Sequence, residues 1–316
     1  MIEYYPYSNI FTLVELPDEI ILIDQLGGFD VYKNNLVLQT LDTLAYNSGV
    51  ILPVVYHNIL DNTIHKKHKN LLISFSSMWQ DKLNFSSLLN YTKHPEINYK
   101  NFVCSFNGTS HVSRKLLVSC LHKFGWFDPV SCSKNFSYST ESVDGHLLEL
   151  VDNDSFYRKF FISTSSEEFF QTTYSFGHDR FNHDQNIYKL EHKITQSFLH
   201  VVSETLATSY CPFVTEKFLY SIVTRGLFLT YAQPGWHAHL EKFYGFKKYT
   251  KLFDYRFDSI QNPVERLVEL LTMISKFSKL SSDEWQDLYL LEQDTIEFNY
   301  DHYFNQGYLK SLTEHE

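Results

Sequence analysis

Residues 197–231 read SFLHVVSETLATSYCPFVTEKFLYSIVTRGLFLTY, and this stretch decides the predicted fold. The apolar run SFLHVVS predicts a strand. Thr215 can cap a helix whose apolar residues follow at helical spacing, and Gly226 ends that helix. LFLTY predicts the next strand. Strands separated by a helix are typical of a parallel sheet, so the stretch predicts an α/β fold.

The same alternation of strands and helices continues towards the N-terminus. Within the first hundred residues, apolar runs predict strands at 19–24, 50–56 and 71–75. The spacing of apolar residues predicts helices at 36–46 and 79–89. Pro53 favours an edge or bulged position for the second of these strands, because proline cannot donate to a ladder. We interpret this part of the chain as one α/β unit.

A second α/β unit begins near residue 101, where NFVCSF predicts a strand and residues 114–124 predict a helix stopped by Gly125. Beyond residue 231 the pattern predicts three more helices, at 236–244, 263–279 and 281–299. Ser281 and Glu284 form a capping box at the start of the last one. The predicted domains are therefore 1–100, 101–280 and a C-terminal helix with its tail at 281–316.

The composition excludes several classes of protein. Lys and Arg number 27 against 37 Asp and Glu, a net charge of −10, so general polyanion binding is not expected. With 11 glycines in 316 residues, a Gly-rich phosphate loop is disfavoured. The four cysteines form no CxxC pair, which favours free thiols in a reducing compartment. Because no targeting segment or long apolar run is visible, we expect no membrane span and a cytoplasmic protein.

The candidate site lies where the strand at 197–203 ends. This strand delivers Glu204 at its carboxyl end, and the chain then reaches a helix start at Thr215-Glu216-Lys217. Ligands of open parallel sheets bind beyond the carboxyl ends of strands, and helix N-termini favour phosphate. Lys217 would add a positive charge, and either glutamate could accept from sugar hydroxyls. The plainer alternative is that Thr215 and Glu216 only cap the helix.

Several landmarks extend this site into a family resemblance. They occur in a fixed order: Glu204-Thr205, Thr215-Glu216-Lys217, Gly226, Pro234-Gly235 and Gly245-Phe246, continued by Phe257-Asp258 and Arg266. The pattern resembles the donor-binding half of GT-B glycosyltransferases of the fucosyltransferase-like kind, including viral and bacteriophage relatives. The strand NFVCSF, the following turn with Asn107, and Arg114 also fit, since such enzymes open this domain with a strand, an Asn-containing turn, an Arg and a helix. Trp236-His237-Ala238-His239 departs from the pattern.

The resemblance implies a fold and a role for each matching residue. The fold would be GT-B, with two Rossmann-like domains facing a cleft and a C-terminal helix crossing back. Arg114 and Lys217 would bind the nucleotide diphosphate without a metal, and Glu216 would bind the ribose. Glu204 and Thr205 would contact the donor sugar or nucleotide. The remaining expected donor-binding residues are Asn107, Thr215, Pro234 and Gly235.

The catalytic base and the acceptor are less defined by the sequence. In GT-B enzymes the base usually comes from the N-terminal domain. Asp24 and His57 follow predicted strands there, and Asp81 is a third candidate. Two basic clusters, IHKKHKN at 64–70 and the lysines near 242–251, are either solvated loops or a track for nucleic-acid phosphates.

The sequence therefore predicts a glycosyltransferase that uses a nucleotide-sugar as donor substrate and needs no further cofactor. The acceptor would be a glycan, a lipid-linked sugar or a hydroxymethylated base of phage DNA. The alternative is a non-catalytic sugar- or nucleotide-binding module on the same fold. The sequence leaves the oligomeric state open.

Overall fold

The computed structural model describes residues 2–5, 16, 18–22, 31–56, 68–75, 86–91, 93, 96–108, 111–135, 169, 172–177, 183–204, 207 and 214–313. Within these residues the chain forms two four-stranded sheets, and all strand pairs in both sheets are parallel. Parallel strands require crossover connections, and helices lie in those crossovers that the structure describes. The predicted α/β class is confirmed.

The first sheet follows the order of the chain. Its strands are β1 (Ile2–Tyr5), β2 (Glu19–Leu22), β3 (Leu52–Tyr56) and β4 (Leu71–Phe75). Helix α1 (Val31–Ser48) connects β2 to β3 and packs on β3 and β4. Its buried residues Leu38, Leu41 and Ala45 are spaced by three and four, so they share one helix face.

The position of Pro53 differs from the prediction. Strand β3 is not an edge strand, since it pairs with β2 on one side and β4 on the other. Pro53 is in register with Leu72 of β4, whereas the pairs with β2 begin at Val54. The proline is tolerated in a central strand because it lies one residue before the β2 ladder starts.

The second sheet contains the strand predicted at 197–203. Its strands are β5 (Asn101–Asn107), β6 (Cys132–Lys134), β7 (Ser197–Ser203) and β8 (Phe228–Tyr231), in the order β6-β5-β7-β8. All seven residues of β7 are buried. A strand covered on both faces needs an almost continuous apolar run, which explains the sequence SFLHVVS.

The strand order reverses between β5 and β7. From β5 the chain passes through helix α3 (Val112–Lys123) to β6, on one side of β5. A single helical turn, α2 (Ser86–Leu89), precedes β5, and helix α4 (His183–Thr195) leads into β7 on the other side of β5. The carboxyl ends of β5 and β7 therefore flank a topological switch point, where connections diverge and leave a crevice.

The α-helix between β7 and β8 is shorter than predicted. The expected helix consists of a 3-10 turn (Glu216–Phe218) followed by helix α5 (Leu219–Val223). Gly226 is required after it, because a Cβ atom there would lie 2.6 Å from Cγ2 of Ile194 in α4.

Five helices and a second 3-10 turn complete the described chain. They are α6 (Trp236–Tyr244), the 3-10 turn Tyr255–Ser259, α7 (Pro263–Ser275), α8 (Ser282–Leu291), α9 (Gln293–Phe304) and α10 (Gly307–Thr313). The predicted capping box of Ser281 and Glu284 is confirmed. Helices α9 and α10 pack on α5 and α6 respectively.

The last predicted helix is divided in two at Glu292. This residue is fully buried, and its Oε1 accepts hydrogen bonds from the backbone N–H groups of Lys251 and Leu252. Its backbone leaves the helical conformation, with φ −101° and ψ 6°. The break thus directs a carboxylate into the core, where it binds the loop that follows α6. Helical periodicity alone does not reveal such a break.

Three cysteines, Cys104, Cys120 and Cys132, are free and buried. Cys211 lies outside the described residues. Among the helices that the structure describes, none combines the length and the apolar character needed to cross a membrane.

We predict that Gly226→Ala destabilises the fold by about 1–3 kcal/mol, because the added methyl group would overlap the side chain of Ile194. Urea unfolding of the two proteins measures the difference. The matched control is the double variant Gly226→Ala/Ile194→Ala, in which the overlapping atom is removed. If the two substitutions were additive in the double variant, the overlap would not be the cause of the destabilisation.

Candidate functional site at the switch point

The carboxyl ends of β5 and β7 bring together most of the described residues that the sequence singled out. Asn107 ends β5, and Glu204 directly follows β7. Arg114 lies in the first turn of α3, the helix that leaves β5. Ser113 Oγ donates a hydrogen bond of 3.0 Å to the backbone oxygen of Glu204, so α3 is attached to the end of β7.

Glu204 is the centre of this arrangement. Its side chain has no exposed surface. Oε1 accepts from the backbone N–H of Thr215 at 3.1 Å and lies 2.8 Å from Thr215 Oγ1, while Oε2 lies 2.7 Å from the same hydroxyl. Lys217 Nζ donates to Oε2 at 3.4 Å. Both carboxylate oxygens are therefore engaged by the segment that returns from the loop after β7.

Lys217 and Glu216 form the more exposed part of the site. The ammonium of Lys217 donates to Thr215 Oγ1 at 2.7 Å and forms a second ion pair with Glu216 at 3.7 Å. About a fifth of the Lys217 side chain remains exposed, at 21%. The ammonium of Lys217 is thus bound by the buried Glu204 and Thr215, while part of its side chain remains exposed.

Arg114 supplies the second positive charge. It is buried, and burial lowers the pKa of its guanidinium, whereas the charges of Glu204 and Glu216 raise it. The three groups therefore interact electrostatically. Two cations and two carboxylates meet at the switch point, and their charges sum to zero before any ligand binds.

The role predicted for Thr215 as a helix cap differs from its observed contacts. Thr215 precedes the 3-10 turn, but its side chain makes no capping hydrogen bond. Its hydroxyl instead bridges Lys217 and Glu204. Because the helical segment after it is short, the positive charge at this position comes from side chains rather than from a long helix dipole.

Asn107 is oriented into the sheet. Its side chain is fully buried, and Nδ2 donates to Ser105 Oγ at 3.0 Å and to the backbone oxygen of Ser133 at 3.4 Å. The Oδ1 atom has no hydrogen-bond partner among the described residues. Asn107 thus stabilises the end of β5, and its amide oxygen is buried there with the rest of the side chain.

Pro234 and Gly235 form the turn between β8 and α6, and the atypical residues after them explain how that turn is held. Gly235 has a φ of +77°, a conformation that favours glycine. Asp258 accepts from the backbone N–H groups of His237 and Ala238, both at 3.1 Å. His237 Nδ1 lies 3.0 Å from Asp258 Oδ1, and its Nε2 accepts from the Thr230 N–H at 3.1 Å.

This geometry assigns the proton of His237 to Nδ1, because Nε2 serves as an acceptor. Burial raises the pKa of the Asp258 carboxyl, but the interaction with His237 and the hydrogen bonds from the backbone N–H groups of His237 and Ala238 outweigh burial and lower the pKa below its ordinary value. The histidine and aspartate therefore connect β8, the start of α6 and the second 3-10 turn. The contacts of His237 and Asp258 therefore indicate a structural role.

Two buried cations near the site were not among the predicted site residues. Arg266 donates to the carbonyl oxygens of Ala232, Ile260, Gln261 and Ala207, so one guanidinium holds the residues after β7 and β8. Lys134 ends β6 in register with Asn107, and its ammonium lies 4.5 Å from the ring centre of Phe169. Burial lowers the pKa of Lys134 to about 8. The landmark pattern includes Arg266 but not its carbonyl partners, and no sequence motif marks Lys134.

Three predicted site residues, Asp24, His57 and Thr205, lie outside the described residues, as does Asp81. Of the first basic cluster, the structure describes His68, which is buried, and Lys69, which is exposed. Within the described ranges, no group of three or more metal-ligating side chains is placed to hold a metal ion.

The second basic cluster is engaged in local contacts. Lys248 pairs with Glu241 at 2.8 Å, and Lys251 donates to the backbone oxygen of Leu291 at 2.7 Å. The ammonium groups of Lys242 and Lys247 lie over the rings of Phe243 and Phe298. Each of these lysines has a structural contact that accounts for its position.

Comparisons with known proteins returned no match: no family model, no curated protein and no solved structure is similar to this chain. A function for the chain therefore has to be inferred from the geometry of the switch point and from the order of the sequence landmarks.

We predict that two buried histidines make the protein sensitive to acid. Burial lowers the pKa of His200 and of His239 to about 3, from an unfolded value near 6.5. The unfolded chain therefore binds more protons between these values, so stability falls as the pH drops below 6.5. Each histidine contributes about 1.4 kcal/mol per pH unit once it is largely protonated in the unfolded chain.

Urea unfolding at pH 7.5, 6.5, 5.5 and 4.5 measures this slope. His200→Asn keeps a polar group near Ser221, whose Oγ lies 2.7 Å from His200 Nδ1, and removes the titration. Below pH 6 we expect the slope of the unfolding free energy against pH to be smaller in this variant. The decrease should be about 1.4 kcal/mol per pH unit, which corresponds to one proton. An unchanged slope would show that His200 does not titrate on unfolding.

Proposed function

We propose that the chain is a GT-B glycosyltransferase that moves a sugar from a nucleotide-sugar donor to an acceptor hydroxyl. The observation that carries the proposal is the group at the β5–β7 switch point, where Arg114 and Lys217 meet around Glu204. In open parallel sheets this crevice is where nucleotides bind. The order of landmarks from Glu204 to Gly245 supports the family, as an inference from the sequence.

The chemistry of sugar transfer suits these residues. The acceptor oxygen forms a bond to the anomeric carbon, the bond from that carbon to the diphosphate oxygen breaks, and the diphosphate leaves with the electron pair. Negative charge thus develops on the leaving group. Arg114 and Lys217 are placed to stabilise this charge, so the proposal includes no required metal. The proton of the acceptor hydroxyl passes to a base, for which Asp24 and His57 remain candidates.

A complete enzyme of this kind also needs a domain that binds the acceptor. A second Rossmann-like domain, formed by the first hundred residues, would complete the donor cleft and bind the acceptor, and the C-terminal helices would cross back to it. The acceptor would be a glycan, a lipid-linked sugar or a hydroxymethylated base of phage DNA. A DNA acceptor predicts duplex binding that weakens steeply with salt.

The first test is a thermal-shift panel of UDP, GDP, CMP and ADP with their sugar derivatives, with and without EDTA. A ligand at 100 times its Kd stabilises the folded protein by about 2.7 kcal/mol, which is a readily measured rise in Tm. We expect one nucleotide series to raise the Tm in the presence of EDTA. Binding without slow hydrolysis of the nucleotide-sugar would favour the non-catalytic binding module instead.

We predict that Lys217→Met and Arg114→Met each raise the Kd for the stabilising nucleotide by about 10- to 100-fold. The reason is that each variant removes a charge-assisted hydrogen bond worth about 1.5–3 kcal/mol. Isothermal titration calorimetry measures the Kd. The controls are Lys93→Met and Arg256→Met, which remove exposed cations paired with Glu191 and Asp254. Equal affinities in the site variants and the controls would place the nucleotide elsewhere.

A further inference from the structure

We propose that Glu204 is a positioning residue that fixes Lys217 and Arg114 for a diphosphate and does not itself contact the ligand. This inference rests on the proposed function and deepens it. The resemblance alone assigns Glu204 to a sugar or nucleotide hydroxyl. The contacts and the burial of its carboxylate assign it a different task.

Glu204 is shielded from a ligand by its neighbours. Its side chain is completely buried, whereas 21% of Lys217 and 13% of Glu216 are exposed. A ligand in the crevice meets Lys217 and Glu216 before it can reach Glu204. The carboxylate also has its acceptor positions engaged, by the Thr215 N–H, the Thr215 hydroxyl and the Lys217 ammonium.

The hydrogen bonds around Thr215 have a fixed direction. A threonine hydroxyl has one proton to donate and two lone pairs to accept with. Lys217 Nζ has only protons to give, so it donates to Thr215 Oγ1, and the hydroxyl proton then points to Glu204. The chain of donors runs from Lys217 through Thr215 to Glu204. Only an acceptor at the position of Glu204 keeps this direction.

The charge of Glu204 acts on both cations of the site. Arg114 is buried, and Glu204 is the first of the two carboxylates that raise its pKa against the effect of burial. The same carboxylate pairs with Lys217. One buried anion therefore attracts a cation from α3 and a cation from the segment after the β7 loop, on the two sides of the switch point.

Glu204→Gln tests the inference with little change in shape. The amide removes the negative charge and places an NH2 group opposite the Lys217 ammonium, while its oxygen can still accept from Thr215. We expect affinity for inorganic pyrophosphate to fall at least tenfold, as for Lys217→Met. Affinity for the nucleoside of the stabilising nucleotide should change less than twofold, because the nucleoside lacks the phosphates that the cations bind.

Thr215 provides a second, independent pair of variants. Thr215→Val removes the hydroxyl at nearly constant volume and should weaken pyrophosphate binding, whereas Thr215→Ser keeps the hydroxyl and should bind like the wild type. In the double variant Glu204→Gln/Thr215→Val, the loss of affinity should not exceed that of the more severely affected single variant, because both act through one chain of hydrogen bonds. This pair tests the inference even if Glu204→Gln does not fold.

The outcomes separate the inference from the proposed function. Suppose that the wild type binds pyrophosphate and that Lys217→Met weakens this binding. If Glu204→Gln then changes the affinity for pyrophosphate less than twofold, the inference alone is wrong. Equal pyrophosphate affinities of Thr215→Val and Thr215→Ser also overturn it. A wild-type protein that binds pyrophosphate but no nucleotide in the panel overturns the proposed function alone. If the wild type does not bind pyrophosphate, the inference is wrong.

Discussion

A carboxylate with no exposed surface must have its charge compensated within the protein, and at Glu204 this constraint organises the second unit. Burial of an uncompensated charge costs several kcal/mol, so the surrounding structure has to supply donors. The donors come from Thr215 and Lys217, with Arg114 close enough to interact. The loop after β7 therefore returns to β7, and α3 is held against it by Ser113. The position of one side chain links three connections at the carboxyl edge of the sheet.

Much of the second unit is predictable from local patterns in the sequence. The strand at 197–203, the strand that begins at residue 101, the helix at 236–244 and the capping box at Ser281 are predicted by apolar runs and by short-range capping rules, and the structure contains them. Strand β7 is recognisable because burial on both faces leaves few positions for polar residues. The grouping of Arg114, Glu204 and Lys217 is predictable as well, since carboxyl ends of neighbouring parallel strands share one edge.

The parts that could not be predicted depend on distant partners. Thr215 matches a helix cap locally, and only its position beside Glu204 changes the partner of its hydroxyl. Glu292 lies in a good helical pattern, yet the N–H groups of a loop about 40 residues earlier require its carboxylate there. Arg266 binds carbonyl oxygens, which no sequence pattern identifies. The roles of Asp24, His57 and Thr205 stay predictions.

The order of strands also has a consequence for the way in which the chain folds. The central pair of the second sheet joins β5 to β7, and Ser105 contacts Val201 across 96 residues of sequence. Closing a loop of that length costs entropy before the pair gains any stabilisation, whereas β7, α5 and β8 are close neighbours along the chain. Contact order therefore predicts that β7, α5 and β8 assemble before β5 pairs with β7. A chain in synthesis would carry β5 without this partner until about 96 further residues have been added.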